Sequence, residues 1–266
     1  MIFATLKENP INNRVIQTEI CNSLDPSEKN AISYFQGLMT TKLLSQKLLD
    51  TVWLMHLDVY DHMHSLTLAA GSKSRPDFIG LNSKLNWIII ESKGRSNSFD
   101  PSAQIKAKKQ TRKLRKIDGQ FPILRAAVQS YFTSSGYFKS RIDDPEEYDD
   151  DAIDIEINQN RYLNKYYKPI LDILSENSFY LKDISVNNTP YITTIPEVDL
   201  IIWINKTIYD LLHGEISFDL NLILVAETLT IEKTDINTFI GGDGILVITG
   251  ENWSVENMIL EPTERK

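Results

Sequence analysis

Three side chains of complementary type lie close together in the chain. Asp77 follows a proline in "RPDFIG", and Glu91 and Lys93 close the apolar run in "IIIESKGR". Side chains on a strand alternate between faces, so Trp87, Ile89, Glu91 and Lys93 share one face of the strand that "NWIIIES" predicts. With a turn centred near Lys84, an antiparallel hairpin sets Asp77 roughly opposite Glu91. Carboxylates so placed repel and raise each other's pKa. A sheet tolerates the pair if positive charge lies between them, and the candidates are the Lys93 ammonium and a bound divalent cation. A structural ion pair at a strand end is the plainer reading, but buried ion pairs rarely add much stability.

The neighbouring elements must bring these groups together. "DPSEKNAISYFQGLMTTKLLSQKLL" predicts a helix with Asp25 as N-cap, Pro26 at the first helical position and Glu28 three residues after the cap. Ile32, Phe35, Met39 and Leu43, with Tyr34 and Leu38, form its expected apolar face. "TVWLMHLDVY" predicts a strand, and "PDFIGL" and "NWIIIES" two more, joined by the polar turn "NSKL". Asp100-Pro101 starts a second helix expected to run to about Ile117 and to end near Gly119. On it Ala103, Ala107, Gln110, Leu114 and Ile117 make one stripe toward the sheet. Gln110 is the polar member, and a buried amide needs partners, which the strand end bearing Glu91 and Lys93 can supply. "PILRAAVQSYF" reads as a fourth strand. Beyond it come a helix at about 161–176 and the strands "FYLKDISV", "VDLIIWI", "FDLNLILVAETL" and "GILVIT". The expected organisation is a core over 1–135 and, over 136–266, a C-terminal α+β extension that continues the core or forms an accessory lobe.

Charge is unevenly distributed. The formal net charge is −8, which taken alone argues against a nucleic-acid binder. Residues 93–116, however, hold nine Lys/Arg and the single acid Asp100, so this segment is +8 and the rest is −8 − 8 = −16. Lys106, Lys108, Lys109, Arg112, Lys113, Arg115 and Lys116 lie off the apolar stripe and suit contact with a polyanion. Residues 143–156 hold nine acids and no base. That run reads first as a solvated surface loop, and second as a mimic of DNA or a shield for the basic segment.

Other motifs carry less. "HxxxxxHxH" from His56 to His64 lacks cysteines and a zinc-ligand pattern, and "GGDG" at 241–244 lacks the Lys-Ser/Thr and helix of a phosphate loop and reads as a turn. The lone Cys21 gives no disulfide framework and suits a reducing, cytoplasmic setting. The first residues do not have the pattern of a signal peptide, and the apolar runs are too short to span a membrane.

Asp77, Glu91-Ser92-Lys93 and a following helix with Gln110 resemble the PD-(D/E)XK nuclease superfamily. The predicted αβββαβ order resembles the core of its restriction-endonuclease-like fold, a mixed sheet flanked by helices. The resemblance covers about residues 27–132. It implies Mg2+-dependent hydrolysis of phosphodiester bonds, of DNA in the first instance, in restriction or anti-phage defence. Asp77, Glu91 and the Ser92 carbonyl would hold the metal, with Mn2+ able to substitute. Lys93 would hold or help deprotonate the attacking water and stabilise the developing charge of the phosphorane, and Gln110 would position the water or Lys93. Arg95, Lys106, Lys109 and Lys113 are the expected nucleic-acid contacts. Members often add a carboxylate from the first helix; here that helix offers Glu28, which capping explains. A homodimer or a protein partner is compatible with the resemblance. The alternative function is a nucleic-acid-binding or assembly subunit of this fold whose cleavage a partner supplies or licenses.

Overall fold

The computed structural model describes residues 5–58, 75–144, 147–176, 191–213 and 237–253. They fall into two units, residues 1–158 and 159–266. Among the described residues no helix is long and apolar enough to cross a membrane.

The first unit opens with a hairpin of β1 (Leu6–Asn9) and β2 (Arg14–Gln17), followed by a short helix α1 (Glu19–Ser23). The long helix α2 (Pro26–Leu48) starts where its sequence signals place it. The Asp25 carboxylate accepts from the Ser27 and Glu28 amides, and Glu28 accepts from the Asp25 amide in return. After α2 come β3 (Thr51–His56), β4 (Phe78–Asn82), β5 (Trp87–Gly94), α3 (Pro101–Thr111), β6 (Leu114–Ile117), β7 (Leu124–Phe132), β8 (Phe138–Asp143) and β9 (Ile153–Ile155). The main sheet has the order β3-β4-β5-β7-β8. It is mixed: β5 and β7 run parallel and the other neighbours antiparallel. Parallel pairing requires a crossover between β5 and β7, and α3 lies within it.

Alternation along β5 divides the core. Ile88 and Ile90 join Leu54, Phe78, Ala126 and Val128 on the face that packs against Leu38 and Leu44 of α2. Trp87, Ile89 and Glu91 project to the other face and are fully buried. On that face Gln104 of α3 donates to the Ala127 carbonyl and accepts from Gln129.

Three expectations are corrected. First, α2 is turned relative to its apolar pattern. Its buried residues are Ile32, Ser33, Gln36, Gly37, Thr40, Thr41 and Ser45, while Tyr34, Phe35, Met39 and Leu43 are exposed. The reason is a close approach of backbones. A Cβ on Gly94 would sit 1.7 Å from the Ser33 carbonyl oxygen, and one on Gly37 would sit 2.8 Å from the Gly94 nitrogen. Small residues must therefore face β5. Second, α3 stops at Thr111, and Leu114 and Ile117 belong to β6, which pairs in parallel with β9. The buried residues of α3 are Gln104, Ala107 and Thr111. Third, the acidic run is no free loop: β9 lies within it, and Ala152, Ile155 and Ile157 beside its acids are buried. The first unit also reaches past position 135, because β8 is the fifth strand of the main sheet.

The second unit contains α4 (Gln159–Glu176), β10 (Tyr191–Ile195), β11 (Leu200–Ile204), α5 (Lys206–His213), β12 (Thr238–Ile240) and β13 (Ile245–Thr249). Its antiparallel sheet has the order β10-β11-β13-β12. The "GGDG" segment is the turn between β12 and β13, and the Tyr167 hydroxyl holds it by donating to the Asp243 carbonyl at 2.7 Å. The expected strands "FYLKDISV" and "FDLNLILVAETL", and His62 and His64, lie outside the described residues.

Candidate active site

The register of β4 and β5 builds the site. Phe78 pairs with Ile90, so one step further Asp77 lies beside Glu91. Each carboxylate is then gripped by the other strand's main chain. The Asp77 amide donates to Glu91 Oε2 at 2.8 Å, and the Ser92 amide donates to Asp77 Oδ2 at 2.9 Å. The Leu57 amide, just past β3, donates to the Asp77 carbonyl at 2.7 Å. Lys93 Nζ forms an ion pair with Glu91 Oε1. The expected trio therefore meets at the ends of adjacent strands.

Its electrostatics are unbalanced. Glu91 is fully buried, and burial, with the negative charge of Asp77 second, pushes its carboxyl up from 4.5 to about 7 against the opposing pull of Lys93. Among the described residues, Lys93 is the cation paired with this carboxylate couple. The pair suits a divalent cation for that reason. Hard carboxylate oxygens close together, short of positive charge and anchored by backbone donors, are the donor set that Mg2+ takes up with water completing its shell. Among the described residues no group of three or more His, Cys, Asp or Glu converges as a ready-made metal cluster.

Ser92 faces the other way. Its side chain accepts from the Thr41 hydroxyl of α2 at 2.9 Å, which ties the helix to the strand between Glu91 and Lys93. The Gly37–Gly94 approach fixes the same helix at the strand end. It also turns Tyr34 toward the carboxylates: partial desolvation of a side chain that stays largely exposed, then the charges of Asp77, Asp58 and Glu91, raise the Tyr34 hydroxyl above its ordinary value. The apolar pattern puts Tyr34 on a core-facing stripe, and the signal against that placement is Gly37, the small residue that demands the opposite face inward.

Gln110 reaches a different partner from the one expected. Its Nε2 donates to the Arg75 carbonyl at 3.3 Å, two residues before Asp77, and its buried Oε1 has no hydrogen-bond partner. Arg75 pairs with Asp58. Gln104 and Gln129, unremarked in the sequence, hold α3 in place. Gln129 accepts from the Asp100 amide at 2.7 Å and donates to the Asp100 carbonyl at 2.9 Å, while Gln104 donates to Asp143 at 3.1 Å. A glutamine inside the apolar run of β7 was the available clue.

The candidate phosphate contacts divide. Lys106 and Lys109 are exposed on α3. Arg95 pairs with Asp100 at 3.2 Å, and Lys113 is held by Asp149 and Asp151 at 3.3 and 2.7 Å. No family model, curated protein or solved structure matches the chain.

Proposed function

We propose that the first unit is a Mg2+-dependent nuclease of the PD-(D/E)XK type, with a restriction-endonuclease-like core, acting on DNA. The observation that carries this reading is the reciprocal main-chain grip on Asp77 and Glu91, with Lys93 on the buried Glu91. Ion pairing for stability alone would not bury Glu91 against a second carboxylate. Asp77, Glu91 and the Ser92 carbonyl would hold the ion. An ion held there would supply Lewis acidity toward a phosphoryl oxygen and would lower the pKa of a water molecule toward neutrality.

The remaining work falls to side chains of this chain. Lys93 Nζ, aimed by Glu91 Oε1, offsets the negative charge that grows on the phosphoryl oxygens as the P–O bond breaks. Gln110 Oε1, buried and unpartnered, accepts a hydrogen bond from the attacking water and orients it. Exposed Lys106 and Lys109, with Arg95, steer the phosphate backbone toward the strand ends.

The test is incubation of the purified chain with plasmid, linear and single-stranded DNA and with RNA, in Mg2+ or EDTA, beside Glu91→Ala and Lys93→Ala. Mg2+-dependent cutting that both variants lose supports the reading. Equal cutting by wild type and variants removes these residues from the mechanism. A chain that binds DNA but cuts nothing points to the second reading, a binding subunit licensed by a partner. The pairing of Arg112, Lys113 and Arg115 with acids of the same chain favours that second reading, because it leaves the basic segment weaker toward DNA than its composition implies.

A further inference from the structure

The most basic stretch of the chain lies against one of its most acidic. Arg112 Nε meets Asp149 Oδ1 at 2.9 Å. Lys113 Nζ meets Asp149 Oδ2 at 3.3 Å and Asp151 at 2.7 Å. Arg115 grips Asp154 with two parallel bonds, Nε to Oδ1 and a terminal nitrogen to Oδ2, both 2.8 Å. A guanidinium fork on a carboxylate has the same geometry it uses on a phosphate.

These acids are held in place by more than their charges. The Asp149 amide donates to the Arg112 carbonyl at 3.0 Å, and the Ile153 amide to the Lys113 carbonyl at 3.0 Å. β9 pairs with β6 from Leu114↔Ile153 to Ile117↔Ile155. The Tyr148 ring stacks on Phe121 with centroids 5.8 Å apart, and the Arg125 guanidinium lies 5.6 Å from the Tyr148 centroid. Exposed ion pairs alone would hold a loop weakly. A backbone-anchored segment keeps its carboxylates in position even when salt screens them.

We propose that Asp149, Asp151 and Asp154 are a built-in competitor for phosphates, occupying Arg112, Lys113 and Arg115 and so lowering the affinity for a polyanion of the groove that Arg112 and Lys113 line with Lys109. The proposal rests on the reading of the first unit as one that engages nucleic acid, and it adds what limits that engagement. The device lowers general affinity for nucleic acid without removing the cations.

The experiment measures binding of a fluorescent 20-base-pair duplex by the full chain in EDTA, where no cutting occurs, across a salt series. The variant Asp149→Asn/Asp151→Asn/Asp154→Asn is compared with a charge-matched control at exposed acids outside that groove, Glu8→Gln/Glu19→Gln/Asp118→Asn. The first variant is expected to bind at least tenfold tighter than the control. Its plot of log affinity against log salt should steepen by about 2–3, since each added phosphate contact contributes about 0.9. Adding Arg112→Gln/Lys113→Gln/Arg115→Gln to the first variant should return affinity to within about twofold of wild type. Equal tightening in variant and control would overturn the proposal, since net charge would then account for it, and so would no tightening in either. Circular dichroism of each variant guards against unfolding as a cause. Mg2+-dependent cutting by wild type that Glu91→Ala abolishes would leave the nuclease reading standing if the competitor fails. Loss of that reading would leave the binding comparison interpretable.

Discussion

The first unit sets carboxylates against cations in two places, and the two arrangements differ in balance and burial. At the ends of β4 and β5, Asp77 and Glu91 lean on Lys93, and Glu91 is sealed from solvent. Along β6 and β9, Asp149, Asp151 and Asp154 meet Arg112, Lys113 and Arg115, and Lys113 and Arg115 hold the Asp151 and Asp154 carboxyls below their ordinary value. A matched set whose outer pairs face solvent and whose Lys113–Asp149 pair is half-buried adds little to stability. An unmatched, buried set stores electrostatic cost that a divalent cation can relieve. The same residue types thus serve chemistry in one place and charge management in the other.

The comparison can be broken at the site first. Glu91→Ala and Lys93→Ala should each lower Mg2+-dependent cutting by on the order of 10²–10³-fold or more, measured as initial rates on plasmid. Removing three acids from the other set should not lower cutting.

Stability against pH sharpens the contrast. A carboxyl raised from 4.5 to about 7 in the folded chain binds its proton more tightly there than when unfolded. Its stabilising contribution is complete below the unfolded value and is lost as pH rises through about 7. That interval corresponds to about 3 kcal/mol. In EDTA, urea unfolding of wild type should therefore show lower stability at pH 8 than at pH 5, and Glu91→Gln should flatten this dependence and gain stability at pH 8. A wild-type chain that gains stability over that range would contradict the unbalanced site. Mg2+ should restore more stability at pH 8 than at pH 5, because the ion competes with the proton on Glu91.

Smaller effects complete the series. Thr41→Val removes a neutral hydrogen bond to Ser92 on the opposite face of the same strand, and should cost about 1 kcal/mol with no dependence on pH between 5 and 8. Asp149→Asn, Asp151→Asn and Asp154→Asn should each change stability by less than about 1 kcal/mol, with the difference shrinking in high salt. A loss of several kcal/mol from any one of them would erase the distinction between the two sets.

Local signals explain what was legible. The succession α2, β3, β4, β5, α3 and β7 followed from hydrophobic runs and turn residues, though not the β6 strand between α3 and β7, the Asp25 cap from its spacing to Glu28, and the Asp77–Glu91 adjacency from a turn centre and alternation. What failed depended on distant contacts. The apolar stripe Phe35, Met39 and Leu43 points outward because Ser33 and Gly37 must meet Gly94, a constraint invisible within the helix. Leu114 and Ile117 continue a helical spacing from Ala107 and Gln110, yet pairing with β9 draws them into a strand. The acidic run looked solvated because its partners lie more than thirty positions upstream. For the site, residue types and register were readable. The Arg75 partner of Gln110 and the approach of Tyr34 were not, since both depend on how helices settle on the sheet.

The position of β5 in the sheet has a kinetic consequence. It is the middle of five strands, hydrogen-bonded to β4 on one side and β7 on the other. Central strands open only when most of a domain opens. The amides of Ile88, Ile89 and Ile90 should therefore be among the slowest of the first unit to exchange with deuterium, and Glu91, which follows them, sits on a mount that does not breathe with the surface. Adjustment to an incoming phosphate then falls to the methylene stem of Lys93, which can swing while its strand stays still.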